Sequence, residues 1–392
     1  MVRSVAAALN DFDASYETAS RTLGAVQFTA LRTITLPLIK GGILTGIILA
    51  IARSLSETGA TSIALTLSTT ASKVNTAPTL IAAWRALSVE EPSYLYAGAF
   101  VSLILIAISF ALFFGVKFLM RRLKLPLRTF YPALEKDFSS KRWLYIRNLV
   151  CGLFILGIAL IPATYPVAYG VSYVGTLFEK FALISSSVLL SFIVASVITV
   201  TNLVVSIPLA LFIARSKGRI RSILDYLVEI PIVFPTVAVG ISLNLFWLSF
   251  ISRLFPFLVP SDLLLVIFAH IAITFSFSVR TIVNALETLD PSYEDAAKTL
   301  GATPFSTFSK VIYPQVRSSI LAGSIFGFTR SLDETGATLA VAPKAVTAPI
   351  IIVNFVKKGL LGDAGVASLV LIIISYAILM LIRKVGGRNG KT

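Results

Sequence analysis

The sequence predicts an all-α polytopic membrane protein. About eight transmembrane helices are expected, arranged as a parallel internal repeat of a six-helix unit whose first copy is incomplete. Three observations carry this. Of 392 residues, 56% are hydrophobic and only 14% charged, against about 25% charged in soluble domains. Apolar runs near the ~20 residues needed to span a bilayer dominate the chain. Shifting the sequence by 277 positions aligns Val2–Thr61 with Val279–Thr338 without a gap, with 27 identities in 60 positions.

The runs fall at Gly41–Leu67, Tyr94–Met120, Ile146–Tyr165, Ala182–Ile213, Leu224–Ile251, Leu263–Leu286, Ile320–Val341 and Ala364–Ile382. The first residues, "MVRSVAAALNDFDASYETAS", lack the long apolar core of a cleavable signal. The net charge of +15 is topological rather than a nucleic-acid footprint. Basic residues crowd "KFLMRRLKLPLRTFYPALEKDFSSKRWLYIR", "ARSKGRIR" and the tail "RKVGGRNGKT", which are alternate loops, as cytoplasmic segments require. Both termini are therefore expected on the cytoplasmic side of the plasma membrane. The opposite loops, such as "FEK" and "SRLFPFLVPSD", are sparse in charge. One cysteine, Cys151, and one histidine, His270, make neither an internal disulfide nor a metal cluster. His270 reads as a core or pore-lining imidazole.

The repeat extends past Thr61, where "AGAFVSLILIAIS" matches "AGVASLVLIIIS". The first and seventh runs correspond and differ by six crossings, so both copies face the same way, about an axis along the membrane normal. The expected organisation is therefore residues 1–120 as the C-terminal part of a first unit, 121–145 as a basic cytoplasmic linker, 146–383 as a complete second unit with its long loop at 288–317, and 384–392 as a basic tail. The first four helices of the first unit have no counterpart here. An upstream extension, a separate polypeptide or another full copy would each supply them.

The loop "LDPSYEDAAKTLGATPFSTFSKVIYPQVRSS" closely resembles the coupling loop of binding-protein-dependent ABC transporter permeases. That pattern is Glu-Ala-Ala, three residues, Gly, nine residues, Ile, one residue, Leu, Pro. The second copy reads Asp295-Ala296-Ala297, Gly301, Val311-Ile312-Tyr313-Pro314, preceded by Glu294. The first reads Thr18-Ala19-Ser20, Gly24, Ile34-Thr35-Leu36-Pro37, preceded by Glu17. Both depart at the acidic position, conservatively at Asp295 and more seriously at Thr18. Small Ala residues suit close docking, Gly suits a helix C-cap and Pro the start of the next helix. The resemblance implies that each short helix docks on an ATP-binding subunit, two in all, and that an extracytoplasmic solute-binding protein delivers the cargo.

No ATP site is expected in this chain, and no cofactor of its own. "GGRNGKT" ends like a phosphate loop, but the position that needs the first glycine is Val385, with no strand before it. No nucleophile–base constellation suggests an enzyme.

"LDYLVEIPIVFPTVAVGISL", with Pro231, Pro235, Thr236 and Gly240, resembles a segment of the sulfate, molybdate and tungstate permeases, as do "FSVRTIVNALETLDPSYEDAAKTLGA" and the duplicated Arg-x-Leu-x-Glu-x-Gly-Ala. That implies an oxyanion cargo. Two units on one chain resembles the ferric iron and thiamine importers instead, so those solutes stay open. The duplicated segments place Arg53 and Glu57 with Thr58 and Thr61, and Arg330 and Glu334 with Thr335 and Thr338. Asp333 adds an acid where the first copy has Ser56. A charged side chain at mid-bilayer costs about 2.5–3.5 kcal/mol on insertion scales, so each pair, four residues apart on a helix, is expected away from lipid. Two roles fit: a moving gate in which the fifth helices face one another, or an internal ion pair that locks packing.

Overall fold

The computed structural model describes residues 5, 9, 12–67, 75–122, 132–255, 257, 260–342 and 344–388. Residues 123–131 of the predicted linker and 389–392 of the tail lie outside the described residues. Every regular element among the described residues is helical.

The chain divides into two compact units. The first comprises residues 1–55 and 107–168. It opens with α1 (Ser15–Thr22) and the long helix α2 (Gln27–Ser56), and ends with α6 (Pro132–Phe138) and α7 (Lys141–Phe154, continued by Ile155–Leu160 and Ile161–Ser172). Here α6 packs on the start of α2.

The second unit comprises residues 56–106 and 169–392. From the first copy it takes α3 (Gly59–Leu67), α4 (Ala77–Leu87) and the start of α5 (Ser93–Arg122). From the second it takes α8 (Gly175–Arg215), α9 (Gly218–Val233), α10 (Thr236–Leu254) and α11 (Asp262–Glu287). Then follow α12 (Ser292–Thr299) and α13, which runs as Pro304–Thr307, Phe308–Ile312 and Tyr313–Leu332. The unit closes with α14 (Gly336–Val341), α15 (Ala348–Lys357) and α16 (Leu361–Arg388).

The core of this unit is built by α8, α11 and α13. Ala210, Ile213, Val279, Ile282, Val283, Leu286, Val316 and Ile320 form one buried cluster. A second joins Val194 and Ile198 to Leu265, Ala269 and Ile273, against Val239 of α10 and Ala337 of α14. Lipid offers little hydrophobic drive between helices, so close approach must come from small residues. A Cβ at Gly240 would stand 2.5 Å from Ala340 Cβ and 2.8 Å from Ala337 O. One at Gly170 would stand 2.7 Å from the carbonyl of Gly365. The glycines set these helix distances.

Among the described residues, six helices are long and apolar enough to cross a membrane: Gln27–Ser56, Ser93–Leu119, Phe178–Arg215, Thr236–Leu254, Asp262–Glu287 and Leu361–Met380. The third predicted run, Ile146–Tyr165, lies within α7. Three predicted runs contain breaks that hydropathy does not register. Gly41–Leu67 breaks at Glu57–Thr58, Leu224–Ile251 at Phe234–Pro235, and Ile320–Val341 at Asp333–Thr335. Pro235 explains the middle one, since the residue before a proline is pushed out of the α region: Phe234 has ψ 135°.

The repeat is built into the helices residue for residue. Five-residue π turns stand at Leu31–Thr35 and Phe308–Ile312, 277 positions apart. Each is followed at once by the helical turn that carries Pro37 or Pro314. A proline cannot donate to the carbonyl four residues back, and the widened turn absorbs the missing bond without stopping the helix. The prolines therefore lie inside a continuous helical path, where the sequence reading has them begin a new helix.

Helices α3 and α4 of the first copy correspond to α14 and α15 of the second. In the second unit α3 packs against α15, and α14 packs against α4. Such reciprocal pairing is the signature of a two-fold relation.

Candidate functional site

The two predicted short helices, α1 and α12, end identically. Gly24 (φ 92°) and Gly301 (φ 81°) lie in the left-handed region, which only glycine occupies at no steric cost. Gly24 N–H donates to Arg21 O (3.1 Å) and Ala25 N–H to Ser20 O (3.1 Å). Gly301 N–H donates to Lys298 O (2.9 Å) and Ala302 N–H to Ala297 O (3.0 Å). This closes the last turn through orphan carbonyls. Each helix is also pinned at its start, since Asp13 and Asp290 each accept from the amide two residues on, Ser15 and Ser292, at 2.9 Å.

These bonds hold both carboxyls below the usual aspartate value. A lowered value means stability that is present above the unfolded pKa and lost as pH falls through the folded one. The loop carrying α12 should therefore resist limited proteolysis from neutral pH down to about 4 and loosen below it. Asp290→Ala should remove that protection at every pH.

The faces of α12 divide sharply. Glu294 and Ala297, one turn apart, are buried within the chain. Arg215, in the last turn of α8, donates to Glu294 through Nε (2.9 Å) and Nη2, and through Nη1 to the carbonyl of Leu286 (3.3 Å). Asp295 and Ala296 face outward with Tyr293 and Leu300, the last 87% exposed. The first copy repeats the outward pattern with Thr18, Ala19, Tyr16 and Leu23, the last 89% exposed. Glu17 and Ser20 are partly buried. Arg215 was not among the predicted site residues. It sits 79 positions from Glu294, and its only sequence signal is a basic residue just past a long apolar run.

The duplicated Arg-x-Leu-x-Glu-x-Gly-Ala segments are helix breaks. Helix α13 ends at Leu332 and α14 begins at Gly336. The ion pair spans the gap, Arg330 Nη2 to Glu334 Oε2 at 2.6 Å, with Glu334 3% exposed. The sequence reading places this pair along one continuous helix. Instead the arginine sits in a last turn and the glutamate just before a first turn, the ends whose partial charges each complements. Glu334 Oε1 accepts from Ala337 N–H at 2.9 Å, and Glu57 Oε1 accepts from Ala60 N–H at 3.0 Å. Each glutamate caps its own downstream helix. Arg53 occupies the last turn of α2.

His270, buried on α11, binds both sides of the break: Nδ1 lies 2.9 Å from Ser331 Oγ and Nε2 2.8 Å from Thr338 Oγ1. Thr338 spends its own proton on Glu334 O (3.2 Å). This assigns Nε2 as the donor and Nδ1 as the acceptor from Ser331. The imidazole is a brace in the core.

The two breaks meet. A Cβ at Gly59 would stand 2.9 Å from Thr335 Oγ1, and one at Gly336 would stand 2.8 Å from Thr58 Oγ1 and 2.7 Å from Thr236 Oγ1. Thr58 and Gly59 are the repeat partners of Thr335 and Gly336, so each copy's threonine rests on the other's glycine. Ser56 Oγ donates to Thr236 Oγ1 (3.0 Å) and accepts from Thr236 N–H (3.1 Å) at the start of α10. The predicted residues Thr58, Thr236, Thr335 and Glu334 thus share one buried region next to Pro235, while Asp333 is exposed and Thr61 only partly buried. Ser56, the neutral counterpart of Asp333 in the repeat, is what fastens α10 there.

These features define a class: a multi-pass membrane protein built from a duplicated helical unit, with paired loops and paired helix breaks. The chain belongs to the family described as the binding-protein-dependent transport system inner membrane component, which matches residues 1–125 and 206–385. Among relatives, a sulfate transport system permease protein from Salmonella typhimurium is 35% identical over 154 residues, covering 38% of this chain and 55% of that protein. A molybdenum transport system permease protein from Mycobacterium bovis is 28% identical over 253 residues, covering 61% of this chain and 92% of that protein. The match thus spans only about half the length of the sulfate permease. In fold it is similar to a chain of a bacterial alginate ABC transporter crystallised with a pentasaccharide-bound periplasmic protein, with a TM-score of 0.50 at 16% identity, covering 65% of this chain.

Proposed function

We propose that this chain is the permease of an ATP-driven importer that works by alternating access. Two ATP-binding subunits dock on α1 and α12 from the cytoplasm, where both termini lie, and an extracytoplasmic binding protein delivers the solute. ATP is hydrolysed on those partners, and this chain binds no cofactor. A second permease chain completes the first unit. The observation that carries the reading is the pair of α1 and α12: the same length, the same left-handed glycine end and the same exposed Tyr–Leu pair, 277 residues apart. A loop that only joined two membrane helices would need none of this twice. The reciprocal breaks around Thr58 and Thr335 are the part of the chain that changes when the halves rock. The names of the sulfate and molybdenum relatives favour an oxyanion as cargo over ferric iron or thiamine.

Gly301→Val tests the docking role. Nothing lies within 4 Å of a Cβ at that position, so the variant should insert normally. Its cost is the left-handed backbone, about 1–2 kcal/mol, concentrated on the last turn of α12. ATP hydrolysis by the reconstituted complex should lose its dependence on solute and binding protein. Normal solute-coupled hydrolysis by this variant would refute docking through α12. Stimulation of the wild-type complex by molybdate or sulfate, set against ferric iron and thiamine, decides the cargo.

A further inference from the structure

The first coupling segment is gripped by the linker. Glu135, on α6, is 5% exposed. It accepts from Thr29 Oγ1 and lies 3.1 Å from Arg32 Nη2, both at the start of α2. Ser139 Oγ accepts from Phe28 N–H at 3.0 Å and donates to Glu135 O at 2.8 Å. Phe28 packs tilted against Phe138 (5.5 Å between centroids), and Phe138 against Trp143 of α7 (4.9 Å). Ser140 then caps α7 by accepting from Trp143 N–H at 3.4 Å. The grip therefore runs without a gap from the residues just past Gly24 into α7.

The repeat supplies the control. Phe28, Thr29 and Arg32 correspond to Phe305, Ser306 and Ser309. The phenylalanine is kept, but the cation is gone, and Phe305 is 79% exposed where Phe28 is partly buried. A buried carboxylate costs several kcal/mol unless it is paired. Among the described residues Glu135 meets that condition with Arg32 and Thr29, so its place specifies this loop and not its twin.

We propose that Glu135 is a positioning residue. Through Arg32, Thr29 and the Ser139–Phe28 bond it fastens the first coupling segment to α7, so that a push on α1 is delivered directly to α7, while the push on α12 is not relayed this way. The proposal rests on the reading of α1 and α12 as docking helices, and its test separates the two.

The full chain, in lipid nanodiscs with its ATPase subunit, is compared as wild type, E135K, R32E and the double R32E/E135K. The first readout is amide hydrogen exchange. E135K and R32E should each speed exchange at Phe28 about tenfold or more, as expected when the segment's local protection is lost. Residues 304–312 should not change, and the double variant should recover protection. The second readout is ATP hydrolysis by the complex relative to the free ATPase subunit. Each single variant should lose most of that modulation and the charge swap should regain it. Unchanged exchange at Phe28 in E135K overturns the grip. Altered exchange with unaltered hydrolysis overturns the positioning role. If the wild-type chain binds no ATPase subunit, the docking reading fails instead, and S139A exchange at Phe28 still decides whether the linker holds the segment.

Discussion

Replacing Arg330 with Met is expected to destabilise the second unit by about 3–5 kcal/mol, the usual cost of stranding one partner of a buried ion pair. Glu334 would keep its bond from Ala337 N–H but lose the opposite charge it pairs with across the helix break. The unfolding midpoint of the detergent-solubilised chain should fall clearly. Removing both charges, as Arg330→Met with Glu334→Gln, should restore much of it, since the remaining amide can still cap α14. A midpoint for Arg330→Met equal to wild type would mean that the pair contributes nothing to packing. Glu334→Gln alone then distinguishes the two roles of the break. If its midpoint holds but transport or basal ATP hydrolysis changes, the glutamate belongs to the gate. If the midpoint falls while transport per folded molecule holds, it belongs to packing.

The second large effect is expected at Gly240. A Cβ there would press on Ala340 Cβ and on the backbone carbonyl of Ala337, and a backbone cannot retreat as a long side chain can. Overpacking of this kind costs about 1–3 kcal/mol for modest insertions, and Gly240→Val should exceed the lower bound by driving α10 off α14. Gly115→Ala is the matched control. That position is helical with nothing within 4 Å, so the change should be neutral or stabilising by up to about 1 kcal/mol. Equal unfolding midpoints for the Gly240 and Gly115 variants would show that the glycine contact does not hold these helices.

Much of this fold was legible because duplication is a long-range signal that needs no partner to be known. The 277-residue shift alone sets α1 against α12, Gly24 against Gly301 and Pro37 against Pro314. The breaks were not legible. Around Glu334 the segment stays apolar enough to read as one span, and Arg and Glu four residues apart suit a continuous helix as well as the two ends of a broken one. Pro235 accounts for its break in the structure, yet the run around it, Leu224–Ile251, reads as one span. The partners of buried polar groups were also hidden, because contact depends on which helices adjoin. Nothing in the order of residues ties Arg215 to Glu294, His270 to Ser331, or Glu135 to Thr29 more than a hundred positions away.

The mutual seating of Thr58 on Gly336 and Thr335 on Gly59 has a historical consequence. After a gene duplication the two copies are free to drift, and elsewhere they have: Asp295 faces Thr18 in the alignment, and Ser309 faces Arg32. At this crossing they are not free. A bulkier residue at 59 demands a smaller one at 335, and the same bargain binds 336 to 58. Homologues of this chain should therefore vary at these four positions in compensating pairs or not at all, with each copy constrained by the other's side chains.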